Sequence, residues 1–276
     1  MTVAQLSQLL PFLESIGVRP KKSLSQNFLI DPNIVRKTLE LADIQPGDRV
    51  LEIGPGPGAL TAALLAEGAS VTAIEKDSVF AKELERLQNG KLTVIEADIL
   101  SFDWTLLEKG PWKVIGNLPY SITTPILERI CEGSFVSFTF MVQKELADRL
   151  IAKPGSKQCG SISVFVQSHG EIKGFFPVSR TCFYPSPSVD STVLSLNFYS
   201  EKDPKEFFTL VRTAFQQRRK MITSSLKKLT SQEHIKKALE LAKASITARP
   251  ETLSLQQWRA LFKEIQKTKA LPLYPR

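Results

Sequence analysis

The order of apolar and polar positions divides the chain into two stretches of different character. Leu6, Leu9, Leu10 and Leu13 recur at helical spacing, and Gly17 closes the helix they predict. A polar, basic segment from Arg19 to Gln26 runs into Phe28-Leu29-Ile30. Asp31 as cap and Pro32 at the first position then open a helix that turns Ile34, Val35, Leu39 and Leu41 toward a core. Short β-branched runs follow, alternating with amphipathic ones. Strands are predicted over 49–53, 70–75, 91–97, 112–115, 135–142, 161–167 and 191–199, and helices over 59–67, 121–131 and 143–150. This alternation predicts a doubly wound, largely parallel α/β sheet. Past 200–204 the pattern turns wholly helical. Phe208, Val211, Phe215, Ile222, Leu226 and Leu229 recur at three, four or seven over 205–229, and further helices are predicted over 232–244 and 254–268. The expected organisation is an α/β domain, residues 1–200, followed by a smaller all-α domain, residues 201–276.

Composition excludes more than it identifies. The 276 residues suffice for one large and one smaller domain. No apolar run approaches the roughly 18 residues of a membrane span. The first ten residues lack the basic start of a secretory leader, so a cytoplasmic protein without a membrane partner is expected. Cys131, Cys159 and Cys182 are widely spaced and form no Cys-x-x-Cys pair, which suits free thiols in a reducing compartment. With only His169 and His234 present, no metal centre is expected, and both histidines read as surface or loop residues. Charge changes the picture. Residues 201–276 hold 17 Lys/Arg against 7 Asp/Glu, whereas residues 1–200 hold 19 against 21. A basic module joined to a near-neutral one points to a polyanion. Arg212, Gln216, Arg219, Lys220 and Lys227 make a polar stripe along 205–229, which either tracks RNA phosphates or is a solvated helix face.

The chemistry-bearing residues gather where the predicted strands end. Arg49-Val50-Leu51-Glu52-Ile53 runs through Gly54-Pro55-Gly56-Pro57-Gly58 into a helix, which offers bare backbone N–H groups and a positive helix end. The spacing is not the Gly-x-Gly-x-x-Gly of dinucleotide binding, which speaks against a nicotinamide dehydrogenase. Glu75, 21 residues after Gly54, ends the next strand and can accept both hydroxyls of a ribose. Asp98 follows the third strand and can accept from an adenine amine. Two acidic strand ends after a glycine-rich turn favour a nucleoside ligand.

In the fourth strand Gly116 reads as the stop, and Asn117-Leu118-Pro119-Tyr120 sets an amide, a rigid kink and a ring at the carboxyl end. The exocyclic amine of adenine is conjugated with its ring and poorly nucleophilic. An amide oxygen (Asn117) and a backbone carbonyl (Leu118) can accept its N–H bonds and steer it toward a tetrahedral shape, while Tyr120 can stack on an extruded base. The same residues also suit an ordinary strand-ending turn. Gln26 and Asn27 either touch a ligand or satisfy a turn. The prolines around Cys182–Ser191 either hold Phe183 or Tyr184 as a second stacking face or form a rigid linker. Lys153 to Gly160 has loop composition, either mobile and near substrate or inert.

Read in order, these residues resemble a known family: Lys22-Ser23-Leu24-Ser25-Gln26-Asn27-Phe28-Leu29, Glu52-Ile53-Gly54-Pro55-Gly56-Pro57-Gly58, Glu75, Asp98, Asn117-Leu118-Pro119-Tyr120, Phe183-Tyr184-Pro185-Ser186-Pro187 and Gln217-Arg218-Arg219-Lys220. They resemble the ribosomal-RNA adenine N6-dimethyltransferases of the small-subunit (KsgA-type) class, from about Pro20 to the C-terminal helices. The resemblance implies a Rossmann-like class I S-adenosylmethionine-dependent methyltransferase domain and a smaller all-α domain. S-adenosylmethionine would be the methyl donor, with Asn27, Leu29 and Gly54 around its methionine end and Gln26 and Gly56 beside it. Glu75 would hold the ribose, Asp98 the cofactor adenine, and Asn117 would sit by the transferred methyl, with Leu118, Tyr120 and Phe183 completing the catalytic set.

The implied substrate is a pair of adjacent adenines in a hairpin loop near the 3′ end of small-subunit (16S) rRNA, each methylated twice on an immature small ribosomal subunit. Arg212, Arg218, Arg219, Lys220 and Lys227 would meet the RNA, and the enzyme would act as a cytoplasmic monomer without metal. Two residues depart from the pattern. Ser25 stands where this class usually has Gly, which matches the related macrolide-resistance methyltransferases, and Ser188 stands where Lys is usual. A large-subunit (23S) rRNA target therefore stays open, as does a non-catalytic rRNA-binding assembly factor, against which the intact Asn117 and Tyr120 weigh.

Overall fold

A computed structural model describes residues 3–21, 24 and 26–267. Lys22, Ser23 and Ser25 of the basic segment lie outside the described residues. Its elements, in chain order, begin with α1 (Leu6–Ser15), β1 (Phe28–Leu29), α2 (Pro32–Leu41), β2 (Arg49–Ile53), α3 (Ala59–Ala66) and β3 (Ser70–Glu75). They continue through α4 (Ser78–Glu83), β4 (Leu92–Glu96), β5 (Lys113–Asn117), α5 (Thr123–Glu132), β6 (Ser137–Gln143), α6 (Lys144–Leu150) and α7 (Ser161–His169). The chain ends with β7 (Gly170–Val178), β8 (Phe183–Tyr184), β9 (Ser191–Phe198), α8 (Lys205–Phe215), α9 (Ile222–Ser225), α10 (Gln232–Leu241) and α11 (Leu255–Gln266). Helix starts follow local chemistry. The Asp31 carboxylate accepts the N–H groups of Asn33 and Ile34 ahead of Pro32, and Ser254 with Gln257 forms a reciprocal capping box.

The chain divides into two compact units, one of residues up to Ala147 with Ile172–Phe198, the other of Asp148–Glu171 with the residues from Tyr199 on. The sequence pattern predicts a single crossing at 200. Instead the chain crosses three times, because α7 brings Val164 into the helical unit's core beside Phe207, Leu210 and Trp258.

In the first unit the main sheet has the order β4-β3-β2-β5-β6-β9-β7. β2 is parallel to β3 and β5, β4 to β3, and β6 to β5, while β9 runs antiparallel to β6. The chain therefore moves outward from β2 to β4 and returns on the other side of β2 at β5. Where the direction of winding reverses, the connections leave a crevice at the strands' carboxyl ends. Val50, Val71, Ala73 and Ile115 of the sheet share one core with Ile34, Val35 and Leu39 of α2 and Leu60 and Leu64 of α3. A second, small sheet pairs Phe28 with Tyr184 and Leu29 with Phe183. Phe28 also packs edge-on against Phe80, beside Leu9 and Leu13 of α1.

Five local expectations are corrected. Residues 161–167 form helix α7, not a strand. Nearly every side chain of α7 is buried, so a β-branched run carries no one-sided period to distinguish helix from strand. β7 lies outside the predicted strands, since Gly174 and Pro177 disfavour one, and its exposed residues fit the edge position it occupies. The helix predicted over 205–229 breaks between Phe215 and Ile222, where three consecutive cations have no acidic partner four residues away and the seven-residue apolar spacing hides the turn. Gly116 does not stop β5 but pairs inside it, opposite Ile53. His169, read as a surface or loop residue, is buried in the helical unit, with Nδ1 2.7 Å from the Phe165 carbonyl and its ring stacked on Phe208.

Candidate active site

The carboxyl ends of β2, β3, β4 and β5 surround a cavity of about 210 Å³. Gln26, Asn27, Leu29, Gly54, Gly56, Glu75, Asp98, Asn117, Leu118 and Tyr120 all line it. Gly54 and Gly56 turn the chain out of β2 with φ of 63° and 53°, in the left-handed region that favours glycine. A Cβ on Gly56 would also meet the Phe28 ring at 3.3 Å.

Glu75 is buried at the end of β3, and each of its oxygens accepts one backbone N–H: Oε2 from Gly56 at 2.9 Å and Oε1 from Asp77 at 2.8 Å. Burial raises its pKa, opposed by those two bonds. The carboxylate is thereby fixed in place, with lone pairs left for ligand hydroxyls. Asp98 accepts from Lys76 Nζ at 2.7 Å and from the Leu100 N–H at 2.9 Å. The Lys76 bond, helped by Leu100, holds its pKa below the usual carboxylate range, so Asp98 is an ionised acceptor.

Gln26 is committed at both ends of its amide, accepting the Lys21 N–H at 2.8 Å and donating to Asp77 Oδ2 at 3.0 Å. Lys21 Nζ reaches the same oxygen at 2.8 Å. Burial pushes Asp77 up, but the bonds from Lys21, Gln26 and Val79 outweigh it and hold its pKa below normal. Gln26 thus ties the segment before β1 to the cap of α4.

At the tip of β5 the Asn117 amide nitrogen donates to the Asn27 carbonyl at 3.0 Å. That bond assigns Oδ1 as the acceptor left for a ligand. Leu118 packs its side chain in the core at 1% exposure, so what it offers the cavity is backbone. Tyr120 is half-buried, and its hydroxyl lies 2.6 Å from Ser191 Oγ, which anchors the far end of the side chain. Phe183 is not brought to the cavity. Its ring is 3% exposed, in the core with Leu29 and Val193, and leaves no face for a base. Arg212, Arg218, Arg219, Lys220 and Lys227 are exposed residues of the helical unit.

Sequence reasoning gave no role to Glu52. It lines the cavity, is 1% exposed, and neither of its oxygens has a hydrogen-bond partner. Burial pushes its pKa from 4.5 up to about 8; the Thr61 hydroxyl and N–H lie near enough to oppose the shift without closing a hydrogen bond, and Glu75 adds to it. A lone acid inside the apolar strand Val50-Leu51-Glu52-Ile53 was the available signal. Glu52 thus adds a buried acid without a hydrogen-bond partner to the cavity that Glu75 and Asp98 also line.

Comparison with known proteins identifies the family and the fold. The profile of the family described as ribosomal RNA adenine dimethylase matches residues 17–267. A protein of Protochlamydia amoebophila named ribosomal RNA small subunit methyltransferase A is 45% identical, over 96% of this chain and 98% of its own. Its namesake in Chlamydia trachomatis is 42% identical, over 95% and 98%. Among solved structures, a dimethyladenosine transferase from Plasmodium falciparum superposes with a TM-score of 0.75 at 25% identity, over 88% of this chain and 98% of that one. The 23S rRNA methyltransferase ErmE superposes with a TM-score of 0.69 at 28% identity, over 87% and 100%. The fold is that of a Rossmann-like class I methyltransferase with a helical C-terminal part.

Proposed function

The chain belongs to the ribosomal RNA adenine dimethylase family, and on that premise we propose that it is the rRNA methyltransferase that dimethylates N6 of two adjacent adenines in a hairpin loop near the 3′ end of small-subunit rRNA. It acts in the cytoplasm, as a monomer, on the immature small subunit, with S-adenosylmethionine as donor. The names of its relatives support the small-subunit target over a large-subunit one. S-adenosylmethionine, when bound, supplies an electrophilic sulfonium methyl. Glu75 and Asp98 would hold its ribose and adenine, and Glu52 and the Gly54 turn would face its charged end.

The observation that carries the reading is the Asn117–Asn27 bond. With its nitrogen held by the Asn27 carbonyl, Asn117 presents Oδ1 at the carboxyl end of β5, inside the cavity. There the oxygen accepts one amine proton of an extruded adenine, and backbone at Leu118 accepts the other. Orienting the lone pair this way lowers the barrier because it strengthens toward the transition state. Tyr120, anchored by Ser191, supplies the stacking face. No general base is required beforehand, since the proton leaves after the nitrogen has become positively charged.

The test is Asn117→Ala. It should bind S-adenosylhomocysteine about as well as the parent protein, yet fail to place methyl groups on immature small subunits, read by primer extension. Naked large-subunit rRNA serves as the second substrate. Full turnover by the variant removes the role of Asn117, and methylation confined to large-subunit rRNA removes the target.

A further inference from the structure

We propose that the loop Lys153–Gly160 and the turn Gln216–Lys220 together form one phosphate-binding surface of the helical unit, and that Arg218 acts between them as a positioning residue. The proposal rests on the reading of this unit as an RNA-binding module, and it adds Lys153 and Lys157 to that module.

Two stretches of the helical unit are devoid of acid. Residues 149–170 contain Arg149, Lys153 and Lys157 and no Asp or Glu, and residues 207–232 contain six Lys/Arg and no Asp or Glu. They lie far apart in sequence, and Arg218 joins them. Its Nη2 donates to the carbonyls of Lys157 at 2.8 Å and Cys159 at 2.9 Å. The guanidinium thus satisfies loop backbone that has no sheet or helix partner, while its neighbours Arg219 and Lys220 stay exposed beside it.

The loop is anchored at other points too. Gly155 N–H donates to the Glu251 carbonyl at 2.6 Å, and Gln167 Nε2 donates to the carbonyls of Leu150 and Ala152. Gly160 N–H donates to Ser163 Oγ at 2.9 Å, and Cys159 is 3% exposed. The backbone of the loop is therefore ordered before any ligand arrives. Its two ammonium groups, by contrast, are exposed, and no acid among the described residues pairs with them. Glu251 meets the loop through its carbonyl, and its carboxylate faces the buried Cys159 thiol with Oε2 out of solvent, away from both exposed ammonium groups. Neighbouring surface cations without an ion-pair partner repel one another until an anion bridges them. An ordered backbone carrying unpaired cations binds phosphates with little conformational entropy left to lose.

The assignment separates Arg218 from its neighbours. A simple phosphate contact tolerates Lys in place of Arg, because the charge is kept. A brace between two carbonyls does not, because the shorter ammonium lacks the planar reach of the fork.

The test uses the full chain and a fluorescein-labelled transcript of the 3′-terminal hairpin region of small-subunit rRNA. Affinity is measured from 50 to 200 mM KCl, and thermal unfolding confirms that each variant is folded. Removing a cation that neutralises one phosphate should flatten the slope of log K against log salt by about 0.7 to 0.9, or about threefold in affinity over that range. Lys153→Gln with Lys157→Gln should flatten it by the equivalent of one to two phosphates, as should Arg219→Gln with Lys220→Gln. Arg218→Lys should flatten it as the Lys153/Lys157 pair does, and should lower hydrogen-exchange protection across 153–160 at least tenfold. If the Lys153/Lys157 variant keeps the parental slope while the Arg219/Lys220 variant loses it, the loop assignment is overturned and the RNA reading stands. If neither changes, the RNA reading of this face fails and takes the proposal with it. An Arg218→Lys protein with parental slope and exchange overturns the brace.

Discussion

Replacing Glu52 by Gln should make the protein without ligand more stable at neutral pH and weaken its hold on a cationic donor. The side chain is 1% exposed and has no hydrogen-bond partner, and burial lifts its pKa from 4.5 to about 8. An acid whose pKa is raised by folding keeps its proton in the native state while the unfolded chain has lost it. Its stabilising contribution is complete below about 4.5 and is lost as pH rises toward 8. Each unit is worth about 1.4 kcal/mol, so the roughly 2.5 units between 4.5 and pH 7 correspond to about 3 kcal/mol. Gln has nearly the same shape and no charge to neutralise, so it escapes the loss. At about 2–4 °C per kcal/mol, the variant should melt on the order of 10 °C above the parent at pH 7, with the gap closing at pH 5. Calorimetry at intervals from pH 5 to 8 reads this directly. Adding S-adenosylmethionine should reverse the order. The bound cation favours the ionised carboxylate, so parental binding at pH 7 should release a proton that the variant does not, seen by titration in two buffers of different ionisation heat. Parallel melting curves for the two proteins across pH 5–8 would refute the argument, because they would mean that Glu52 titrates normally.

Two further outcomes follow from the same region. Tyr120→Phe removes the 2.6 Å contact with the buried Ser191 hydroxyl and should cost about 1–2 kcal/mol of stability while leaving methyl transfer within a few-fold; Tyr120→Ala should cut kcat/KM on immature subunits by about 10- to 100-fold, the worth of one base–aromatic stack, and equal rates for the two variants would remove the stacking role. Gly116→Ala places a Cβ 2.8 Å from the Ile53 carbonyl and 3.2 Å from Ile53 Cβ, so β5 must move from β2; the expected cost is about 1–3 kcal/mol by thermal unfolding with a fall in kcat as Asn117 shifts, and parental values for both would show that the approach is not tight.

What was legible in the sequence is local. β2, β3, β4 and the start of β5 stand out because each apolar run is punctuated within a residue or two by Gly, Glu or Asp at its carboxyl end, and a doubly wound order brings such ends together. The cavity could be read from Gly54, Gly56, Glu75, Asp98 and Asn117 for that reason. What escaped depends on distant partners. α7 is enclosed by α8 and α11, so its sequence shows no polar side; Phe183 is drawn into the core by pairing with Leu29; Gly116 is required by Ile53 on another strand. Arg218 reads as one more surface cation until the carbonyls of Lys157 and Cys159 are seen beside it. Glu52 was visible, but its unpaired state is a property of the folded neighbourhood alone.

The weaving of the chain through its two units sets a timetable for synthesis. α7 leaves the ribosome well before Phe207, Trp258 and Leu261, the residues that will enclose Val164, have been made. The first unit is also incomplete until β9 emerges. A nascent protein arrested near residue 200 therefore displays an apolar helix with nothing to cover it, the kind of surface that holdase chaperones capture. Cutting the gene at that point would leave the first fragment with all of the first unit and an uncovered α7, and the second with a helical core that lacks Val164; only a co-expressed pair has the residues to rebuild that core.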